Sequence, residues 1–91
     1  MKESNYYLIC LMEEAAEVIQ AASKCLRFGS NDSGPGTCMT NFERLEEEMS
    51  QLTAVSVLAS VRFRGEAYDD KLKAMDTWLS YSRERNVITN G

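Results

Sequence analysis

The chain contains no histidine. That absence excludes His-ligated zinc, Ser-His-Asp and Cys-His nucleophile pairs, and imidazole acid–base chemistry. Any catalysis must rest on carboxylates, amides, lysines and arginines. Proline is nearly missing too, with 1 residue, and glycine contributes 5 of 91 positions, which excludes collagen-like and low-complexity architectures. The 3 cysteines, Cys10, Cys25 and Cys38, form no CxxC pair and are odd in number. They make no disulfide framework, and reduced thiols in a cytoplasmic compartment are expected. No apolar run approaches the ~18 residues of a membrane span, so no membrane partner is expected. The start, Met1–Asn5, brings an acid at once, and Leu8–Met12 is too short for the apolar core of a signal peptide.

Positive charge is also in short supply. Ten Lys and Arg face 14 Asp and Glu, for a net charge of −4. Binding to a nucleic-acid backbone calls for a basic face, so no nucleic-acid partner is expected. An anionic ligand would need a local group of cations or a bridging metal. What remains is 44% hydrophobic and 26% charged. Those proportions suit one small domain over residues 1–91, burying only about 60% of its unfolded surface.

Three segments have helical character. The first runs from about Ser4 to Leu26, with Ser4 or Asn5 as cap. At about 100° per residue, Leu8, Leu11, Ala15, Val18, Ile19, Ala22 and Leu26 share one stripe. A break rich in Gly, Ser, Asn and Pro follows at about 29–40. Thr40 or Asn41 then caps a second helix, expected to reach about Phe63 and to be central because Leu52–Val61 is apolar nearly all round. Gly65 is read as its terminator. A third helix is expected over about Glu66–Arg85, with Leu72, Met75, Leu79 and Ser82 inward. No stretch alternates at period two, so the fold class is all-α. So few helices bury little, and completion of the fold by a second copy is expected.

The acids are clustered rather than scattered. Glu14 and Glu17 stand at i, i+3 on the first helix, with Glu13 beside them, next to the apolar stripe. Glu48 and Gln51 repeat that spacing on the second helix. Clustered like charges cost helix stability, and oxygen donors from two helices are what a hard divalent cation such as Mg²⁺ or Mn²⁺ requires. On spacing alone a solvated acidic face explains Glu13, Glu14 and Glu17 equally well, and it explains Glu46 and Glu47 better. Lys24 and Arg27 close the first helix, where they favour its dipole or bind phosphate. Arg44 and Arg62 lie on the Glu48 face, and Lys71 on the third helix is a further phosphate contact candidate. Tyr6, Tyr7, Phe28, Trp78 and Tyr81 are aromatics able to stack on a base, although core packing is the better reading for most.

The run EEAAEVIQAASKCLRFG, a loop, NFERLEEEMSQLTAV and later KLKAMDTWLSYSRE resembles the MazG-like nucleoside triphosphate pyrophosphohydrolases, closest to the short single-domain forms that bacteriophages encode. The likeness covers about residues 6–85. The family pattern, EExxE then ExxD, reads here as Glu13, Glu14 and Glu17, then Glu48 with Gln51 in place of the aspartate. This resemblance implies an antiparallel all-α helical bundle completed as a homodimer or homotetramer. It also implies Mg²⁺- or Mn²⁺-dependent cleavage of a nucleoside triphosphate to monophosphate and pyrophosphate, in the cytoplasm (of the host, for a phage protein). Glu14, Glu17, Glu48 and Gln51 would hold metal, and Glu13 and Glu14 would serve the attacking water. Lys24, Arg27, Asn41 and Lys71 would contact substrate. Gln51 brings no charge, so impaired catalysis with retained nucleotide binding is the alternative, unless Asp69, Asp70 or Asp76 compensates.

Overall fold

A computed structural model describes residues 1–89 as three helices with no strand: α1 (Glu3–Phe28), α2 (Asn41–Leu58) and α3 (Gly65–Glu84). The all-α expectation holds. None of these helices is long and apolar enough to cross a membrane.

Local chemistry sets the boundaries. Helix α1 starts after Lys2 without a side-chain cap, so neither Ser4 nor Asn5 performs the capping role the sequence suggested. Glu3 in its first turn and Arg27 in its last both favour the dipole. It stops at Gly29, whose φ of 96° is open to glycine and strained for other residues, and whose N–H donates to the Cys25 carbonyl. Helix α2 opens with a complete capping box. The Glu43 N–H donates to Thr40 Oγ1 at 3.1 Å, and the Thr40 N–H donates to Glu43 Oε1 at 3.0 Å. The Thr40 N–H, and after it the Thr40 hydroxyl, hold the Glu43 carboxyl below its ordinary pKa.

The end of α2 corrects the expected boundary near Phe63. The helix closes at Leu58, because Ser60 turns left-handed at φ 59° and the Val61 N–H returns to the Ser56 carbonyl at 3.0 Å. This six-to-one closure satisfies the last carbonyls. The apolar run continues past it, which is why periodicity overshot. Gly65, read as a terminator, is instead the first residue of α3.

Helices α1 and α2 pack against one another as an antiparallel hairpin, and α3 packs on neither. Within one chain this pair is the only helix packing among the described residues, short of the bundle that the resemblance implies. Shape records the same fact: the Cα radius of gyration is 16.5 Å, where a compact chain of this length has about 12 Å. Among the described residues only Ala21 is buried, at 4% exposure. The stripe predicted for α1 is rotated accordingly. Leu11, Ala15, Val18 and Ala22 are half-buried, but Ile19 is 69% and Leu26 89% exposed. Helix α2 is not central within the chain, since Val57 and Leu58 remain exposed. Leu72, Met75, Leu79 and Trp78 of α3 are exposed as well.

The loop from 29 to 40 is held at both ends. Asn41 donates through its backbone N–H to the Asp32 carbonyl at 2.8 Å and through Nδ2 to the Gly29 carbonyl at 2.9 Å. The Phe42 N–H reaches the Ser30 carbonyl at 3.0 Å, and Ser33 bridges to Thr40. This connection sets the register that lays the acids of α1 against those of α2.

A carboxylate cluster and the trough beside it

In an antiparallel pair, residues before the loop on α1 face residues after it on α2. Lys24 therefore lies across from Arg44, and Glu17 from Glu48; these four line one open trough with Gln20 and Ala21, about 340 Å³ in volume. Glu14 and Glu17, one turn apart, meet Glu48 so that one oxygen of each carboxylate lies within 4.8 Å of the others. Two of the three are closed to water at one oxygen: Glu14 Oε2 and Glu48 Oε2 are buried and have no hydrogen-bond partner. Unpartnered buried oxygens are costly unless a ligand satisfies them.

The electrostatics follow from that crowding. Lost hydration is the largest effect raising the proton affinity of Glu14, followed by the Glu17 carboxylate beside it and then by Glu13. Glu48 is pushed in the same direction, first by lost hydration, then by proton sharing with Glu17 and by the charges of Glu17 and Glu14; Arg44 opposes the shift. With both values raised, the folded chain holds more protons than the unfolded chain just above the ordinary glutamate value of 4.5. Stability therefore falls as pH rises through that window. Glu43 has the opposite sign: its contribution is present above 4.5 and is lost as pH falls through its lowered value. In EDTA, we expect the protein to melt at a higher temperature near pH 5.5 than near pH 8. A melting temperature that instead climbs across this interval would contradict the strained cluster.

The other candidates are placed unevenly. Glu13 is exposed and lies outside the group of three, close enough to raise the Glu14 proton affinity. Gln51 is exposed one turn beyond Glu48, and its amide donates to Glu47 Oε1 at 3.5 Å. Lys24 lines the trough at its loop end. Arg27 points to the neighbouring face, where its guanidinium sits 4.8 Å over the Phe28 ring. Asn41 lines a second cavity over the loop while anchoring Gly29. Lys71, Asp69, Asp70 and Asp76 ride on α3, which does not approach the hairpin, so within one chain none of them joins the cluster. Within one chain, then, Lys71 and the three aspartates lie apart from the cluster.

Arg44 is the residue that sequence reasoning passed over as a site candidate. It lines both the trough and the loop cavity, and it pairs with Glu47 at 3.3 Å. Its signal was present: it stands four residues before Glu48 on the same face.

Three carboxylates from two helices, two with unsatisfied oxygens, fit a divalent cation with oxygen preference. Two cations adjoin them, which suits a polyanion held partly by metal and partly by side chains. Comparison of the chain with family models, with curated proteins and with solved structures gives no match.

Proposed function

We propose that this chain is a metal-dependent nucleoside triphosphate pyrophosphohydrolase, converting a (d)NTP and water to a (d)NMP and pyrophosphate, as the MazG-like resemblance implies. The observation that carries the reading is the set of unpartnered buried oxygens on Glu14 and Glu48, gathered with Glu17 beside Lys24 and Arg44. A purely structural acidic surface would leave every carboxylate oxygen hydrated; here one oxygen each of Glu14 and Glu48 is closed to water.

Glu14, Glu17 and Glu48 would hold Mg²⁺ or Mn²⁺. When bound, the ion supplies charge compensation and Lewis acidity at the phosphate oxygens and the attacking water. Lys24 and Arg44 draw the phosphate chain along the trough and keep its negative charge paired. Attack of water on the α-phosphorus forms one P–O bond and breaks the bond to the bridging oxygen, so pyrophosphate leaves. The water's proton passes to a carboxylate, with Glu13 and Glu14 the candidates. Glu14 lies in the group of three and Glu13 directly beside it, so either is within reach of a water held there. Gln51 adds no charge to the cluster and is turned to Glu47. The triphosphate's own oxygens then supply charge that a fourth carboxylate would have brought.

The test is a panel of (d)NTPs with Mg²⁺ or Mn²⁺, read by pyrophosphate release. Release supports hydrolysis. Tight nucleotide binding without release identifies the alternative, a nucleotide-binding protein whose catalysis is impaired at Gln51. Failure of every nucleotide to bind or react sinks both.

The active unit in this reading is a homodimer or homotetramer. With Ala21 the only buried residue described and the apolar side of α3 uncovered, one chain has too little core to stand alone. Lys71 would reach a substrate only in such an assembly. Light scattering at micromolar concentration is expected to give a multiple of 10.3 kDa. A folded particle of monomer mass would contradict this.

A further inference from the structure

The cavity over the loop, about 430 Å³, belongs to no part of the cluster, yet Lys24 and Arg44 line it as well as the trough. The two spaces form one path along the hairpin, acidic at Glu14, Glu17 and Glu48, basic at its middle, and apolar with a polar edge at the loop. Resting on the pyrophosphohydrolase reading, we propose that this loop cavity is the nucleobase subsite. Asp32 favours bases that carry an exocyclic amino group over those that carry a carbonyl at the same position.

The dimensions agree. Eleven residues of α1 separate Glu17 from Phe28, or about 16 Å at 1.5 Å per residue. A triphosphate held in the trough by Lys24 and Arg44 can span that distance with its nucleoside at the loop. The lining agrees as well. Phe28 offers an aromatic ring one face of which is covered by the Arg27 guanidinium at 4.8 Å. A flat base meets such a ring through dispersion and stacking. Pro35 and Met39 add apolar wall, and Asp32 is the one acidic residue of the lining. Lys24 and Arg44 mark the phosphate end of this cavity, and at its other end an exocyclic amino group can donate to the Asp32 carboxylate. The position of Asp32 is fixed through its backbone, whose N–H donates to the Gly29 carbonyl at 3.3 Å and whose carbonyl accepts from Asn41 at 2.8 Å.

The experiment compares dCTP with dUTP, which differ at the base by amino against carbonyl, on wild type, Asp32→Asn and Phe28→Ala. Inorganic tripolyphosphate serves as a base-free probe, with affinity read as competition. Wild type should prefer dCTP, and Asp32→Asn should erode that preference by about tenfold, because a hydrogen bond to a charged acceptor is replaced by one to an amide. Phe28→Ala should weaken both nucleotides about tenfold and leave tripolyphosphate unchanged. Equal handling of the two nucleotides, undisturbed by Asp32→Asn, overturns the assignment of Asp32. Equal loss of tripolyphosphate and nucleotide in Phe28→Ala overturns the subsite. Either result leaves pyrophosphate release by wild type standing, and only its absence together with absent nucleotide binding removes the underlying reading.

Discussion

Glu17→Ala and Glu48→Ala are each expected to lower pyrophosphate release by about a thousandfold or more, equivalent to about 4 kcal/mol of barrier. Their helical circular dichroism should match wild type. The reason is geometric: the three carboxylate oxygens lie within 4.8 Å of one another, so removing one dismantles the charge that any cation there requires. Loss of activity could also follow from unfolding, but here the two effects have opposite signs. The cluster holds like charges together, with lost hydration and mutual repulsion raising the proton affinity of Glu14 and Glu48. Replacing Glu17 with its uncharged isostere relieves that repulsion. Glu17→Gln should therefore be inactive and, in EDTA at pH 8, melt at or above the wild-type temperature. An inactive variant that melts well below wild type under those conditions would assign Glu17 to folding rather than to the site. Full activity in both alanine variants would remove the site altogether.

Ala21 should be the position least tolerant of added volume. It is the only described residue that is buried, at 4% exposure, and it sits on α1 where the wall of the trough is formed with Glu17, Lys24, Arg44 and Glu48. A leucine there would have to part the two helices or swing into the trough. Overpacking of this kind costs about 1–3 kcal/mol. For a domain of this size that is a fall in Tm of about 5–20 °C. Because no other residue is buried among those described, the upper part of the range is expected. Samples must be compared at equal protein concentration, since assembly contributes to apparent stability. Thermal melts of Ala21→Leu within about 2 °C of wild type would mean that the hairpin does not close at Ala21. The same substitution should also weaken tripolyphosphate, because the trough narrows between its cations.

Much of the candidate site was legible before any coordinates, for a local reason. Glu14 and Glu17 stand three residues apart, and helix geometry alone places them together. Thr40 and Glu43 likewise form a cap from residues three apart, so the start of α2 could be narrowed to Thr40 or Asn41. Misreadings arose where distant residues decide. The apolar wheel favoured Leu26 and Ile19, yet the helices meet at small Ala21, which turns those larger side chains outward. Lys71 matched a pattern in sequence, but its helix stands away from the hairpin. Ser60 carries no glycine signal, and its left-handed backbone ends α2 inside an apolar run. Arg44 was visible as a neighbour of Glu48, but only the antiparallel register brings it opposite Lys24 and joins the trough to the loop.

The separation of α3 from the hairpin divides the kinetics of folding into two molecularities. Helices α1 and α2 meet across a 12-residue connection, a short loop whose closure is fast, so their docking is a first-order event with low contact order. Helix α3 finds no surface on its own chain. If its apolar side is covered by a second copy, its burial is second order and slows as the protein is diluted. Refolding would then show one phase indifferent to concentration, reported by helix formation, and a later one proportional to it, reported by fluorescence of the lone Trp78 on α3, now 61% exposed.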